Sequence, residues 1–267
     1  MRAGPLGTTY VLMTPEETRA RLLYRDGLML VLNKPAGVAV HRGPKGGLSL
    51  EDDFDALRFG LPRKPALAHR LDRETAGCLV LGRHHKALEK LGLLFKQGKI
   101  AKTYWAIVAG SPDGDSGAID LALGRLDDKR GWWMKVDPSG QPALTLWQVR
   151  GRGVWRGARI AWLALEPHTG RTHQLRVHCA SQGWPILGDA IYGEHADAPL
   201  QLLARKVVVP LLKAKPPIKV EAPAPPHMLE ALAACGFAGD PACSPTGNPS
   251  LDELRTPTAE IVRRNKL

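Results

Sequence analysis

The apolar residues of this chain come in short runs, and that feature most limits what it can fold into. The run Leu28–Leu32 has strand length, and no stretch approaches the roughly 18 uninterrupted apolar residues of a bilayer-spanning helix. With 267 residues, 44% of them hydrophobic, the chain can build a sizeable core as one large domain or two small ones. Residues 1–23 read as a leader with one short element. Tyr24, Asp26 and Gly27 then turn into the apolar run, which Asn33-Lys34-Pro35-Ala36-Gly37 ends. Val38–Val40 reads as another short strand. Ile100–Ala109, Ala143–Val149 and Ala158–Leu165 read as further strands.

Helices are fewer. Ser49 followed by Asp52 resembles a capping box opening a helix through Leu57. Leu88, Leu91, Leu94 and Phe95 have helical spacing within His84–Gln97, with Gly98 as a stop. Thr172–Gln182 reads as a helix capped by Gly183. This is no regular βαβ repeat, and there is no internal repeat. It predicts an α+β fold on a mixed, largely antiparallel sheet. The Pro- and Lys-rich stretch from Pro210 to Pro226 predicts extended edge structure. Residues 228–267 read as a partly flexible C-terminal extension, with a short helix expected around Thr258–Arg264.

The net charge is +11 and the isoelectric point about 9.7. So basic a protein often meets polyanions, because each neutralised phosphate releases counterions. A solvated positive surface is the plainer reading. An anionic membrane is a weaker one, since no basic amphipathic helix stands out. The N-terminus shows no secretory signal. Cys78, Cys179, Cys235 and Cys243 are scattered without a C-x-x-C pair, which argues against a zinc finger or a disulfide scaffold and fits a reducing cytoplasm.

Three segments carry candidate chemistry. In AHRLDRETAG (residues 68–77), Asp72 lies among His69, Arg70 and Arg73. Positive neighbours keep a carboxylate ionised, fit to act as nucleophile or base. Equally, Asp72 can cap the next turn while the arginines are solvated. In TGRTHQLRVH (residues 169–178), Arg171, His173 and Arg176 offer donors near a helix start that favours phosphate. His173 and His178 are five apart, poor spacing for two metal ligands on one helix face, so hydrogen-bonded structural roles fit them better. In KTYWAIV (residues 102–108), a strand puts Lys102, Tyr104 and Ala106 on one face, where a tyrosine can stack on a base or simply pack.

Together these segments resemble one family. HRLDRETAG resembles the H-R-L-D-x-x-T-S-G signature of the RluA-type RNA pseudouridine synthases, KTYWAIV their K-x-Y-x-A strand, and LVLNKPAGVAVH their K-P-x-G segment. LALEPHTGRTHQLRVHCASQGWPILGDAIYG is similar to their third motif nearly end to end. The likeness runs from about Tyr24 to Pro226 and implies a catalytic domain over residues 24–227 with a central RNA-binding cleft flanked by helices and loops. It implies Asp72 as the catalytic carboxylate, Tyr104 as the ring that stacks on the target uracil, and Arg176 as the cation paired with Asp72. Arg70 matches an arginine that helps the uridine leave its stack. His69, Arg171, His173 and Leu175 are expected around the substrate. The reaction implied is cleavage of N1–C1′, rotation of the uracil and rejoining through C5, without cofactor or metal. The expected substrate is ribosomal or transfer RNA, and the expected state a cytoplasmic monomer without membrane contact. About 20 residues precede the first strand, too few for the N-terminal S4 domain that some members carry.

This chain departs from the pattern at Ala76, where Ser is usual, at Asn33 before Lys34-Pro35, and at Leu202-Leu203-Ala204, where the family often has L-H-A. Competing readings are a catalytically silent RNA-binding module, an Asp-nucleophile phosphatase and a zinc hydrolase. Such phosphatases want a second Asp two residues on, where this chain has Glu74, and such hydrolases want better ligand spacing.

Overall fold

The computed structural model describes residues 11–43, 46–127, 132–193, 198–212 and 214–240. Its first strands are β1 (Leu22–Arg25), β2 (Met29–Lys34), β3 (Ala66–Leu67) and β4 (Ala76–Gly82). The middle of the chain supplies β5 (Ala101–Ala109), β6 (Ser116–Asp120), β7 (Leu123–Arg125), β8 (Met134–Val136), β9 (Leu144–Trp155) and β10 (Ala158–Pro167). The last are β11 (Leu202–Val209) and β12 (Ile218–Glu221). Ten of them form one sheet in the order β1-β2-β4-β11-β5-β10-β9-β6, with β3 beside β4 and β12 beside β11. Among the described residues only the β4–β11 pairing is parallel. β7 and β8 make a separate ribbon. The expected mixed, largely antiparallel α+β architecture is what forms.

β2 and β4 read as unbroken apolar runs because both of their faces are buried. On β4, Cys78 and Val80 point into one core layer and Leu79 and Leu81 into the opposite one. The first layer is roofed by α2 (His85–Lys96), through Leu91, and by α4 (Pro226–Ala234), through Met228, Ala231 and Leu232. The second is covered by a 3₁₀ helix, Leu50–Leu57, through Leu50, Phe54 and Leu57. Asp52 accepts hydrogen bonds from the Ser49 N–H (2.8 Å) and hydroxyl (3.2 Å), the expected reach-back, though the helix it opens is 3₁₀.

Several expectations shift. Val38–Val40 is not a strand: the Ala39 and Val40 carbonyls accept the N–H groups of Leu50 and Glu51, so the 3₁₀ helix start takes the bonds a ladder would need. The helix α3 spans Gln174–Ser181, not Thr172–Gln182, because His173 sits at φ 53° in the left-handed region. The boundary at 23/24 falls inside β1, and α1 (Pro15–Ala20), capped by Thr14, precedes it with Thr18 buried. The boundary at 227/228 falls inside α4, whose Met228 and Leu232 are fully buried core. The helix expected at Thr258–Arg264 and Cys243 lie outside the described residues. Within the proline-rich stretch, Ile218–Glu221 is extended as expected and pairs as β12 with β11, while Pro226 already opens α4. Among the described residues no helix is long and apolar enough to cross a membrane.

Candidate active site

Asp72 begins a tight turn, its carbonyl accepting from the Thr75 N–H at 3.1 Å, just before β4. Two groups hold that turn, one buried and one half-buried. Lys34, at the end of β2 and 0% exposed, donates from Nζ to the carbonyls of Pro35 (2.7 Å) and Arg73 (2.8 Å). Burial drives its pKa down to about 7, against the favourable charges of Glu74 and Asp72. His69 stacks on Phe95 at 4.4 Å and accepts the Val80 N–H at Nε2 (3.0 Å). Burial lowers its pKa to about 3, so the ring is neutral, with its proton on Nδ1. Expected to contact substrate, His69 lines the cleft but spends one nitrogen fastening the turn to β4. Gly77 is required twice over. Its φ is +106°, and a Cβ there would lie 2.3 Å from the Ala204 carbonyl oxygen of β11. Ala76, in place of Ser, is 2% exposed in an apolar layer and needs no hydrogen-bond partner.

Tyr104, on β5, faces the cleft, while Trp105 and Ile107 point into the opposite core, as strand alternation predicts. Burial raises the Tyr104 hydroxyl pKa, and the charge of Asp72 adds to the effect. The proton therefore stays on the phenol.

Arg176 projects from α3 and was expected to pair with Asp72. Its main partner is Asp189, a residue the sequence did not single out. The guanidinium makes a two-pronged pair with this carboxylate, Nε to Oδ2 at 2.7 Å and Nη2 to Oδ1 at 2.6 Å, with side-chain exposures of 5% and 0%. Asp189 also accepts the N–H groups of Ile191 and Tyr192. Burial disfavours both charges, but the pairing outweighs it, lowering the pKa of Asp189 and raising that of Arg176. The remaining nitrogen, Nη1, lies 4.0 Å from Asp72 Oδ2 and 3.3 Å from His173 Nε2. An arginine only donates, so Nε2 of His173 accepts and its proton resides on Nδ1, 2.8 Å from the Tyr192 hydroxyl. Burial lowers the pKa of His173 despite the charge of Asp72, 3.9 Å away. Asp72 itself is 32% exposed.

Asp72, His69, Tyr104, His173 and Arg176 line a cleft of about 890 Å³. Leu175, 7% exposed, contributes apolar lining. Arg70 stands at the rim, exposed, its Nη1 3.4 Å from His41. Arg171 also lines the cleft, but its Nε donates to the Pro142 carbonyl at 3.0 Å. Lys102 adds a further cation, its pKa lowered by burial. His178 is structural, held by Thr145 and the Leu121 carbonyl. All eight expected site residues thus gather on one cleft. Lys34, Asp189 and Tyr192 were missed. A lone acid inside the apolar stretch WPILGD was the available signal for Asp189.

The profile of the RNA pseudouridylate synthase family matches residues 28–181. An uncharacterized RNA pseudouridine synthase of Zymomonas mobilis is 41% identical over 210 residues, covering 77% of this chain and 94% of that protein. The ribosomal large subunit pseudouridine synthase C of Vibrio cholerae is 35% identical over 175 residues, covering 65% of this chain and 53% of its own length. The chain likewise spans 54% of a relative from Synechocystis, about half its length. Among solved structures, human RNA pseudouridylate synthase domain containing 4 superposes with a TM-score of 0.69 at 27% identity, covering 83% of this chain and 95% of that one. The motif resemblance and these comparisons agree, and the chain belongs to the RNA pseudouridylate synthase family.

Proposed function

We propose that this chain converts a uridine of ribosomal RNA to pseudouridine, with Asp72 as the catalytic carboxylate. The observation that carries the reading is the unequal sharing of Arg176. Asp189 takes two of its nitrogens and fixes its plane, so Asp72 feels a cation at 4.0 Å without surrendering both oxygens to it. A carboxylate held this way keeps an oxygen free to reach a substrate.

The target base has to leave its stack before its glycosidic bond can be reached. The cleft offers Tyr104 as a stacking face, Leu175 as apolar lining and Arg70 at the rim to occupy the space the base vacates. N1–C1′ then breaks, the uracil turns within the cleft, and C5 bonds to C1′. C5 gives up its proton, and N1 ends protonated. The atoms balance without a cofactor. Whether Asp72 attacks the sugar or the base, or removes a ribose proton, each path begins from this partly exposed oxygen. The name of the Vibrio relative favours large-subunit ribosomal RNA, with transfer RNA as the alternative substrate. The scattered, buried free cysteines Cys78, Cys179 and Cys235 suit a cytoplasmic enzyme, which we take to act as a monomer.

The test is Asp72→Asn. It should abolish pseudouridine formation, mapped in ribosomal and transfer RNA with and without the gene, while RNA affinity stays within about threefold, since one carboxylate adds little to phosphate-dominated binding. Full activity in the variant would refute the assignment, and a silent RNA-binding module would show no pseudouridine even from the wild type.

A further inference from the structure

Trp132 is 57% exposed, the sole aromatic among the large exposed hydrophobic residues described. An indole left this far in water forfeits a large apolar burial, and such a ring beside a site marks a surface that something covers. It lies just before β8, in the ribbon that stands apart from the main sheet. That ribbon is firmly seated. Leu123 packs with Ala143 and Val177, Met134 and Val136 join them, and the Met134 N–H donates to the Tyr192 hydroxyl at 2.9 Å. Trp132 meets His173 nearly perpendicularly, with ring centroids 5.4 Å apart and planes at 83°. His173 lies 3.9 Å from Asp72. A rigidly based indole thus stands one ring away from the groups around the catalytic carboxylate.

We propose that Trp132 is a stacking platform for a nucleobase next to the target uridine in the same RNA strand. This rests on the reading of Asp72 as the centre of the reaction. Once the uridine enters the cleft, its neighbours stay outside, stripped of one stacking partner, within a nucleotide's reach of the rim. Aromatic faces recover that lost stacking regardless of base identity. The surroundings suit a polyanion, for Arg171, Arg176 and Lys102 line the adjoining cleft. A protein partner would also bury an indole, but this rim adjoins the cationic wall that the RNA backbone itself must cross.

The probe is a single-stranded oligoribonucleotide of adenosines and cytidines with one central uridine, alongside versions in which either neighbour of the uridine is an abasic ribose. Binding by wild type, Trp132→Phe and Trp132→Ala is followed by fluorescence anisotropy from about 50 to about 200 mM salt. Trp132→Ala should weaken binding about tenfold, the loss of one stacked base, and Trp132→Phe by less than about threefold. The slope of affinity against salt should be the same in all three, because no phosphate contact is removed. One abasic probe should erase the difference between wild type and Trp132→Ala, the mark of a direct pairwise contact. Equal affinity of wild type and Trp132→Ala overturns the proposal. So does a penalty that survives in both abasic probes, a changed salt slope, or failure of the wild type to bind the intact probe. If the wild type binds with this signature yet forms no pseudouridine in any cellular RNA, the reaction assigned to Asp72 fails and the stacking role stands.

Discussion

Replacing Lys34 by methionine tests how the Asp72 turn is held. Lys34 is fully buried, with its ammonium between the carbonyls of Pro35 and Arg73. Its pKa falls from 10.5 to about 7, chiefly through burial. The unfolded chain therefore binds this proton more tightly than the folded one. Below about pH 7 both states are protonated and the folded state carries the full penalty, roughly 5 kcal/mol. As pH rises from about 7 towards 10.5 the folded state sheds the proton first, and stability climbs. Between about pH 6 and pH 9 the relief amounts to about 3 kcal/mol by this linkage. Lys34→Met removes the titration and leaves two carbonyls without their donor, at about 1–3 kcal/mol each. Urea denaturation of both proteins across that pH range isolates the effect, since Cys78 and Tyr24, whose pKa values burial also raises, cancel in the difference. The stability of wild type relative to Lys34→Met should rise with pH by about 3 kcal/mol. A difference that stays flat would show that Lys34 does not carry a suppressed charge, and would remove it from the account of the turn.

Two further substitutions probe the same architecture. Asp189→Asn strips the buried Arg176 guanidinium of its main counter-charge, leaving only Asp72 at 4.0 Å, and should destabilise the fold by about 3 kcal/mol or more while lowering pseudouridine turnover far more than RNA affinity. A loss under about 1 kcal/mol by denaturation would show that the pair does not anchor Arg176. Gly77→Ala places a methyl 2.3 Å from the Ala204 carbonyl oxygen at a left-handed φ, and should unseat β4 from β11. An unchanged melting temperature would refute that packing argument.

What could be read from residues alone was local. Alternation in KTYWAIV correctly placed Tyr104 on the face opposite Trp105 and Ile107, and the helical spacing of Leu88, Leu91 and Leu94 found α2. The gathering of Asp72, Tyr104 and Arg176 came from family motifs, since no periodicity reports which segments meet. The main partner of Arg176 was hidden for the same reason, Asp72 being its second, longer ion pair. Asp189 lies 13 residues away beyond the end of α3, and only the fold brings the two within hydrogen-bonding distance. The early start expected for α3 failed because helical propensity says nothing about His173 being turned left-handed, where its ring reaches Tyr192 and Arg176. Val38–Val40 has strand-like composition, yet its carbonyls were claimed by a helix start ten residues on, a competition visible only in three dimensions.

The seat of β11 has a consequence for how the enzyme comes into being. β4 and β5 follow one another in the chain, yet β11, which starts about ninety residues after β5 ends, lies between them. While the chain emerges from the ribosome, the strand following Asp72 and the strand bearing Tyr104 have no shared neighbour. Each shows an open, apolar edge of the kind that invites mispairing. Only when Leu202–Val209 slots in does the sheet become continuous and the two residues acquire a fixed separation. The two strands are therefore joined late in synthesis and in one step, and the interval before it is when this protein most depends on not meeting another unfinished copy.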